Sequence, residues 1–243
     1  GSDFTSDAAL RAYAEMAGYW EGLVAERREH PGPDLVSQIL HNQTKGAELS
    51  DAEIAGFCSL LHDASQNTTM NMIANSIVEL ARWPDERAKL AREPGRRPKA
   101  IEELLRFVSP VQGLARTTTR DVALHDTTIP EGEQVLLLYG AANHDERVFA
   151  RPEVLDLDRD VRAHWAFGHG IHFCLGNAAA RLEIRIALEE LLAAAPAYAL
   201  DEARLERNQL VPTRGIAHAP IELAPNASAR SAGSGAQGRG ARP

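Results

Sequence analysis

Cysteine is scarce: the 243 residues hold only Cys58 and Cys174, far apart and each inside its own helical pattern. That excludes a disulfide framework and makes a reducing compartment the expectation. Positive charge is also short, since 26 Lys and Arg against 34 Asp and Glu leave a formal charge of −8. No basic stripe with interleaved aromatics is visible, so a nucleic-acid partner is not expected. No apolar run approaches the ~18 residues of a membrane span. The N-terminus also lacks the basic-then-apolar order of a signal peptide, and the chain reads as soluble, cytoplasmic and without a membrane partner. Its length allows a substantial core without disulfide or metal staples. One large domain, residues 1–225, is expected. Residues 226–243 are rich in Ala, Ser, Gly and Arg and read as a disordered tail, in which Asn226-Ala227-Ser228 matches a glycosylation acceptor by chance.

Leu10, Tyr13, Met16, Trp20 and Val24 recur at intervals of three and four, which predicts an amphipathic helix over 8–29, ended before Pro31-Gly32-Pro33. A short helix is predicted over 34–40. Ser50-Asp51-Ala52-Glu53 reads as a capping box opening an unusually long helix that runs to Trp83. Pro84-Asp85-Glu86 starts another helix, and a third spans 99–107 until Ser109-Pro110 stops it. From Gly113 to Leu138 the texture alternates as in short strands, with 136–139 the best strand. Residues 143–165 carry many Asp, Arg and Pro with little periodicity, which predicts a long loop pinned by specific contacts. Helix returns over 175–194.

The most informative segment is Phe167-Gly168-His169-Gly170-Ile171-His172-Phe173-Cys174-Leu175-Gly176, directly before that last helix. A cysteine at the mouth of a helix meets positive potential and N–H donors, which hold a sulfur anion, and glycines allow close approach of the backbone to a flat group. Phe167, Gly170, His172, Cys174 and Gly176 match every fixed position of Phe-x-x-Gly-x-His/Arg-x-Cys-x-Gly, and here the sequence resembles the cytochrome P450 family. The resemblance covers 8–223.

That resemblance implies a mainly α fold with small β-sheets, of which this chain carries the C-terminal portion without the N-terminal helices. It implies haem b, with Cys174 as the iron ligand, Phe167, Gly168, Gly170, Gly176 and Ala64 against the cofactor, and His172 and Arg116 on its propionates. Glu103 and Arg106, three residues apart on one helix face, correspond to the family's buried Glu-x-x-Arg signature. The third charged partner of that signature is missing, because Val154 stands where the family has arginine, which leaves Arg159 or His144 to supply it. Ala64-Ser65-Gln66-Asn67-Thr68-Thr69 corresponds to the segment that delivers protons to dioxygen, with Asn67, Thr68 and Thr69 as the catalytic positions. Ser65 replaces the usual glycine and Asn67 the usual acid, with His62 and Asp63 nearby as substitute proton sources. An asparagine cannot transfer a proton at neutral pH but can hold a water that does. Val111, Gln112, Gly113 and Leu114, with the turn over 210–217, correspond to the substrate wall, consistent with a mainly apolar small molecule. The implied activity is monooxygenation with electrons from a ferredoxin and ferredoxin reductase. A peroxide-using or oxidative-coupling relative, or a haem-binding remnant without activity, are the alternatives.

Overall fold

The computed structural model describes residues 6–43, 45–46, 48–208 and 212–224. The tail and Leu210 lie outside them. The described residues fall into two compact units, 1–67 and 68–243.

In the first unit, α1 (Asp7–Glu29) starts at Ser6, whose side chain accepts the Ala9 N–H at 3.3 Å, and it ends with Arg27 and Arg28 against the negative helix end. α2 (Leu35–His41) is capped by Asp34, which accepts from Ser37 N at 2.9 Å. The capping box at Ser50 is present: Glu53 N reaches Ser50 Oγ at 3.3 Å, and Ser50 N reaches Glu53 Oε2 at 2.8 Å. It opens α3 (Asp51–Arg82), helical throughout its 32 residues. Only the C-terminal part of the α1 stripe is covered. Val24 packs with Val36, Ile54, Ala55 and Cys58, whereas Leu10 and Tyr13 are exposed.

The second unit is built on one apolar cluster. Met72 and Leu80 of α3, Leu90 of α4 (Pro84–Arg92), Leu104 and Leu105 of α5 (Arg97–Val108), and Ile184, Leu188 and Leu192 of α7 (Asn177–Ala194) meet Leu155, Leu157 and Tyr198 there. Truncating one such leucine costs about 2–5 kcal/mol. The described residues form four two-stranded antiparallel sheets: β1 (Leu114–Thr117) with β4 (Gln134–Leu137), and β2 (Val122–Leu124) with β3 (Thr127–Ile129). The others are β5 (Ala197–Leu200) with β8 (Ile221–Ala224), and β6 (Glu206–Asn208) with β7 (Gly215–His218).

The expected strand 136–139 is corrected. The ladder ends at the Leu114 and Leu137 pair, and Tyr139, buried, opens the one-turn helix α6 (Tyr139–Ala142). Leu136 and Leu137 are strand, at the end of β4, while Leu138 lies beyond it, and all three are exposed. α5 begins two residues earlier than expected, because Pro98 fits a first helical turn. α7 begins two residues later, at Asn177. Ser109 ends α5 in a left-handed conformation, φ 45°, with its hydroxyl turned back on Arg106 O at 2.9 Å.

Candidate functional site

The segment before α7 folds onto itself. Gly168 and Gly170 take φ of 68° and 69°, a region that penalises any Cβ. Gly168 N–H donates to Trp165 O at 2.9 Å, Phe173 N–H to Gly170 O at 3.0 Å, and Cys174 N–H to Phe167 O at 2.9 Å. The Asn177 side-chain amide donates to Cys174 O at 2.7 Å, so both backbone polar groups of Cys174 are fixed. No side chain caps α7 at Gly176, which leaves its N-terminal field directed at this loop.

Cys174 is a free, half-buried thiol, and its neighbours are apolar and open: Ile171 is 98% exposed, Leu175 71% and Phe173 47%. A Cβ added at Gly170 or Gly176 meets nothing within 4 Å. Gly170 is required by its backbone conformation. Gly176, at φ −80°, is not, and open space beside it is what a flat group lying against the backbone needs.

Two further donors are the positions that the sequence pattern assigned to the cofactor edge. Arg116 is half-buried on β1, and among the described residues it has no carboxylate partner, its guanidinium bonding only Ala115 O at 2.8 Å. His172 is exposed in a short 3-10 turn and has no hydrogen-bond partner among the described residues.

Behind the loop lies a buried ionic brace. Arg106 and Glu103 are both 0% exposed and pair as a fork, Nε to Oε2 at 2.7 Å and Nη2 to Oε1 at 2.8 Å. The remaining Arg106 nitrogen donates to Asn143 O at 2.8 Å and Pro152 O at 3.1 Å. The third partner is Arg159, whose Nε meets Glu103 Oε1 at 3.1 Å while its other nitrogens donate to the carbonyls of Ala150, Arg151 and Val154. His144 is elsewhere, bonded to Gly140 O at 3.0 Å and tilted on Phe107, and burial lowers its pKa. Asn143, fully buried, links the brace to the loop: its amide donates to Ser109 Oγ at 2.7 Å and its Oδ1 accepts Trp165 N–H at 2.6 Å.

Of the α3 positions, Thr69 is buried and Thr68 half-buried in the second unit, while Ala64 and Asn67 are exposed at the end of the first. Ser65 Oγ bonds back to His62 O at 3.0 Å, and the His62 ring is engaged by Gln66 and Trp20. The two segments assigned to a substrate wall do meet. Val111 bridges Thr213, Gln112 N–H donates to Pro212 O at 2.9 Å, and Arg214 N–H to Pro110 O at 2.8 Å. The Gln112 side-chain nitrogen is spent on Ser109 O at 2.5 Å, and Gly113 leaves no room for a Cβ, which would lie 2.7 Å from Leu137 O. Leu114 is exposed at the start of β1.

The family model for cytochrome P450 matches residues 98–194, the stretch that holds both the brace and the Cys174 loop. Cytochrome P450 130 of Mycobacterium tuberculosis is 44% identical over 211 residues, 84% of this chain and 51% of that protein. The biotin biosynthesis cytochrome P450 of Bacillus subtilis is 38% identical over 87% of this chain and 53% of its own length. The crystal structure of P450BioI, in complex with an acyl carrier protein ligated to hexadec-9Z-enoic acid, superposes with a TM-score of 0.84 at 37% identity, covering 91% of this chain and 58% of that one. The chain belongs to the cytochrome P450 family. It spans about half the length of the curated relatives it matches and corresponds to the C-terminal portion of the P450 fold.

P450 membership implies a haem, and the residues present fit one. The thiol is unpaired, the face around it is apolar and open, and two donors lack acids, which suits a flat apolar ring with anionic edges. Among the described residues no helix is long and apolar enough to cross a membrane. Sequence reasoning missed Asn143, Asn177 and Arg181 as supports of the P450 loop. Their only signal was placement: one in the predicted pinned loop, two on the first turns of the helix after Cys174.

Proposed function

We propose that Cys174 is the axial thiolate of haem b in a monooxygenase that inserts one oxygen atom into a small, mainly apolar organic substrate, with electrons from a ferredoxin and its reductase. The observation that carries this reading is the free thiol held by both backbone groups and ringed by exposed Ile171, Phe173 and Leu175. When bound, haem with a thiolate ligand supplies dioxygen activation. The protein's own part is positioning. Cys174 would supply the thiolate, Arg116 and His172 would hold the carboxylates of the cofactor, and Phe167, Gly168, Gly170 and Gly176 would be the residues that receive it. Thr68 and Thr69 offer hydroxyls that orient a proton donor, and Asn67 holds a water in place of a carboxylic acid. Val111, Gln112, Gly113 and Leu114 contribute to the substrate wall.

Asn67 also favours a second reading, a peroxide-using or oxidative-coupling enzyme that depends less on an acid at that position. Turnover with a ferredoxin, its reductase and labelled dioxygen separates the two. Monooxygenation places the label in product and consumes about one reduced nicotinamide per product molecule. Turnover with peroxide alone, and none with the reductase, would displace it. Asn67→Asp is expected to raise the product formed per nicotinamide, since general acid assistance is worth roughly 10²–10⁴-fold and even partial recovery is measurable. A fall on that substitution supports the second reading.

A further inference from the structure

Both ties on Cys174 lead to one guanidinium. Arg181, on the second turn of α7, donates through Nη1 to Asn177 Oδ1 at 2.8 Å, and Asn177 holds the Cys174 carbonyl at 2.7 Å. Its Cζ lies 4.6 Å from the centroid of the Phe167 ring, and Phe167 O accepts the Cys174 N–H at 2.9 Å. The guanidinium is itself clamped. Nε and Nη2 form a fork on Glu102 at 2.6 and 2.9 Å, and His164, 5% exposed, meets the same carboxylate at 3.1 Å. The His164 Nδ1 accepts Ala166 N–H at 3.2 Å, so Nε2 carries the proton that Glu102 receives.

A surface ion pair alone would carry little. This one differs, because a planar fork cannot tilt about Glu102 without releasing Asn177 or Phe167. Arg181 is held above the usual guanidinium range, first by Glu102, with attraction from Cys174 as a smaller cause.

We propose that Arg181, clamped by Glu102 and His164, is the positioning residue of the Cys174 sulfur, fixing the ligand's backbone from both sides and keeping one positive charge beside the thiolate. The inference rests on the assignment of Cys174 as axial ligand. A fixed cation near the sulfur weakens its donation to iron, and its removal favours the ferric state.

The test is the reduction potential and the ferrous carbon-monoxide spectrum of the haem-loaded protein, with thermal unfolding measured in parallel. Arg181→Gln is expected to shift the one-electron reduction equilibrium toward ferric by roughly three- to ten-fold, a tenfold change being about 59 mV. Arg181→Lys keeps the charge but not the fork, and is expected to recover part of that shift. Glu102→Gln, which leaves Arg181 in place but loosened, is expected to give a smaller shift of the same sign and serves where Arg181→Gln does not fold. Asn177→Ala and Arg181→Gln together are expected to shift less than the sum of the two alone. Unchanged potential and spectrum in Arg181→Gln and Glu102→Gln, whatever their melting temperatures, overturn the proposal. A parent protein without a thiolate-type spectrum overturns the axial assignment itself, which distinguishes the two failures.

Discussion

The brace around Glu103 and the loop around Cys174 are both built from expensive groups, and they treat them in opposite ways. In the brace two charges at 0% exposure are paired with each other, and every nitrogen of Arg106 and both oxygens of Glu103 are hydrogen-bonded within the chain, with Arg159, Asn143, Pro152 and the Asp156 N–H as further partners. In the loop a free thiol and Ile171 at 98% exposure are left unmet by the described residues, and on β1 Arg116 has no acid among them. Satisfied polarity holds the fold together, whereas polarity and apolar area left open mark where a ligand completes the structure.

The sharpest way to break that contrast is to unpair the brace. Glu103→Ala leaves Arg106 buried without its carboxylate, and a loss of about 3–5 kcal/mol in denaturant unfolding is expected. A loss under about 1 kcal/mol would show the pair to be solvated in practice. On the loop side, Arg116→Ala removes a charge-assisted hydrogen bond worth about 1.5–3 kcal/mol. Haem retention, followed by transfer to an acceptor protein, is then expected to fall about ten-fold or more. Apoprotein stability is expected to stay nearly constant, and unchanged retention would remove Arg116 from the site.

Between the two regions stands Glu102. Burial raises its pKa, but the hydrogen bonds from Arg181 and His164 outweigh that and hold it at about 2. A depressed carboxylate contributes stability above its unfolded value, ~4.3, and loses it as pH falls through the folded value. Stability is therefore expected to decline between about pH 4 and about 2, and the decline should flatten in Glu102→Gln. Parallel acid limbs in the two proteins would contradict the clamp. The smallest effect is expected at Ile171. Ile171→Ser should change apoprotein stability by less than about 0.5 kcal/mol while weakening haem retention, because its side chain meets solvent until a ligand covers it.

Much of this was legible before the structure. The capping box at Ser50 and the stop at Ser109-Pro110 follow from local chemistry, and local chemistry decides them, whereas the loop over 143–165 was legible as irregular and its pins, Glu103, Arg106 and Ser109, were not. The spacing around Cys174 carried the family, and the left-handed backbone at Gly168 and Gly170 shows why glycine stands at those two positions. Legibility failed where partners distant in sequence decide the outcome. Leu136 to Tyr139 has strand composition, but the ladder runs out and Tyr139 is buried by its surroundings. Arg159 and His144 were equivalent candidates in sequence, and only the tertiary path places Arg159 on Glu103. Sheets β5–β8 and β6–β7 gave no sign, being three or four residues per strand with little alternation.

The central claim is that Cys174, not Cys58, ligates the haem. The direct measurement is the carbon-monoxide difference spectrum of the reduced, haem-loaded protein with each cysteine replaced by serine. The thiolate-type band is expected to survive Cys58→Ser, since Cys58 is buried in the cluster of α1, α2 and α3, and to vanish in Cys174→Ser. A band that survives Cys174→Ser and is lost in Cys58→Ser would contradict the assignment and the site built on it.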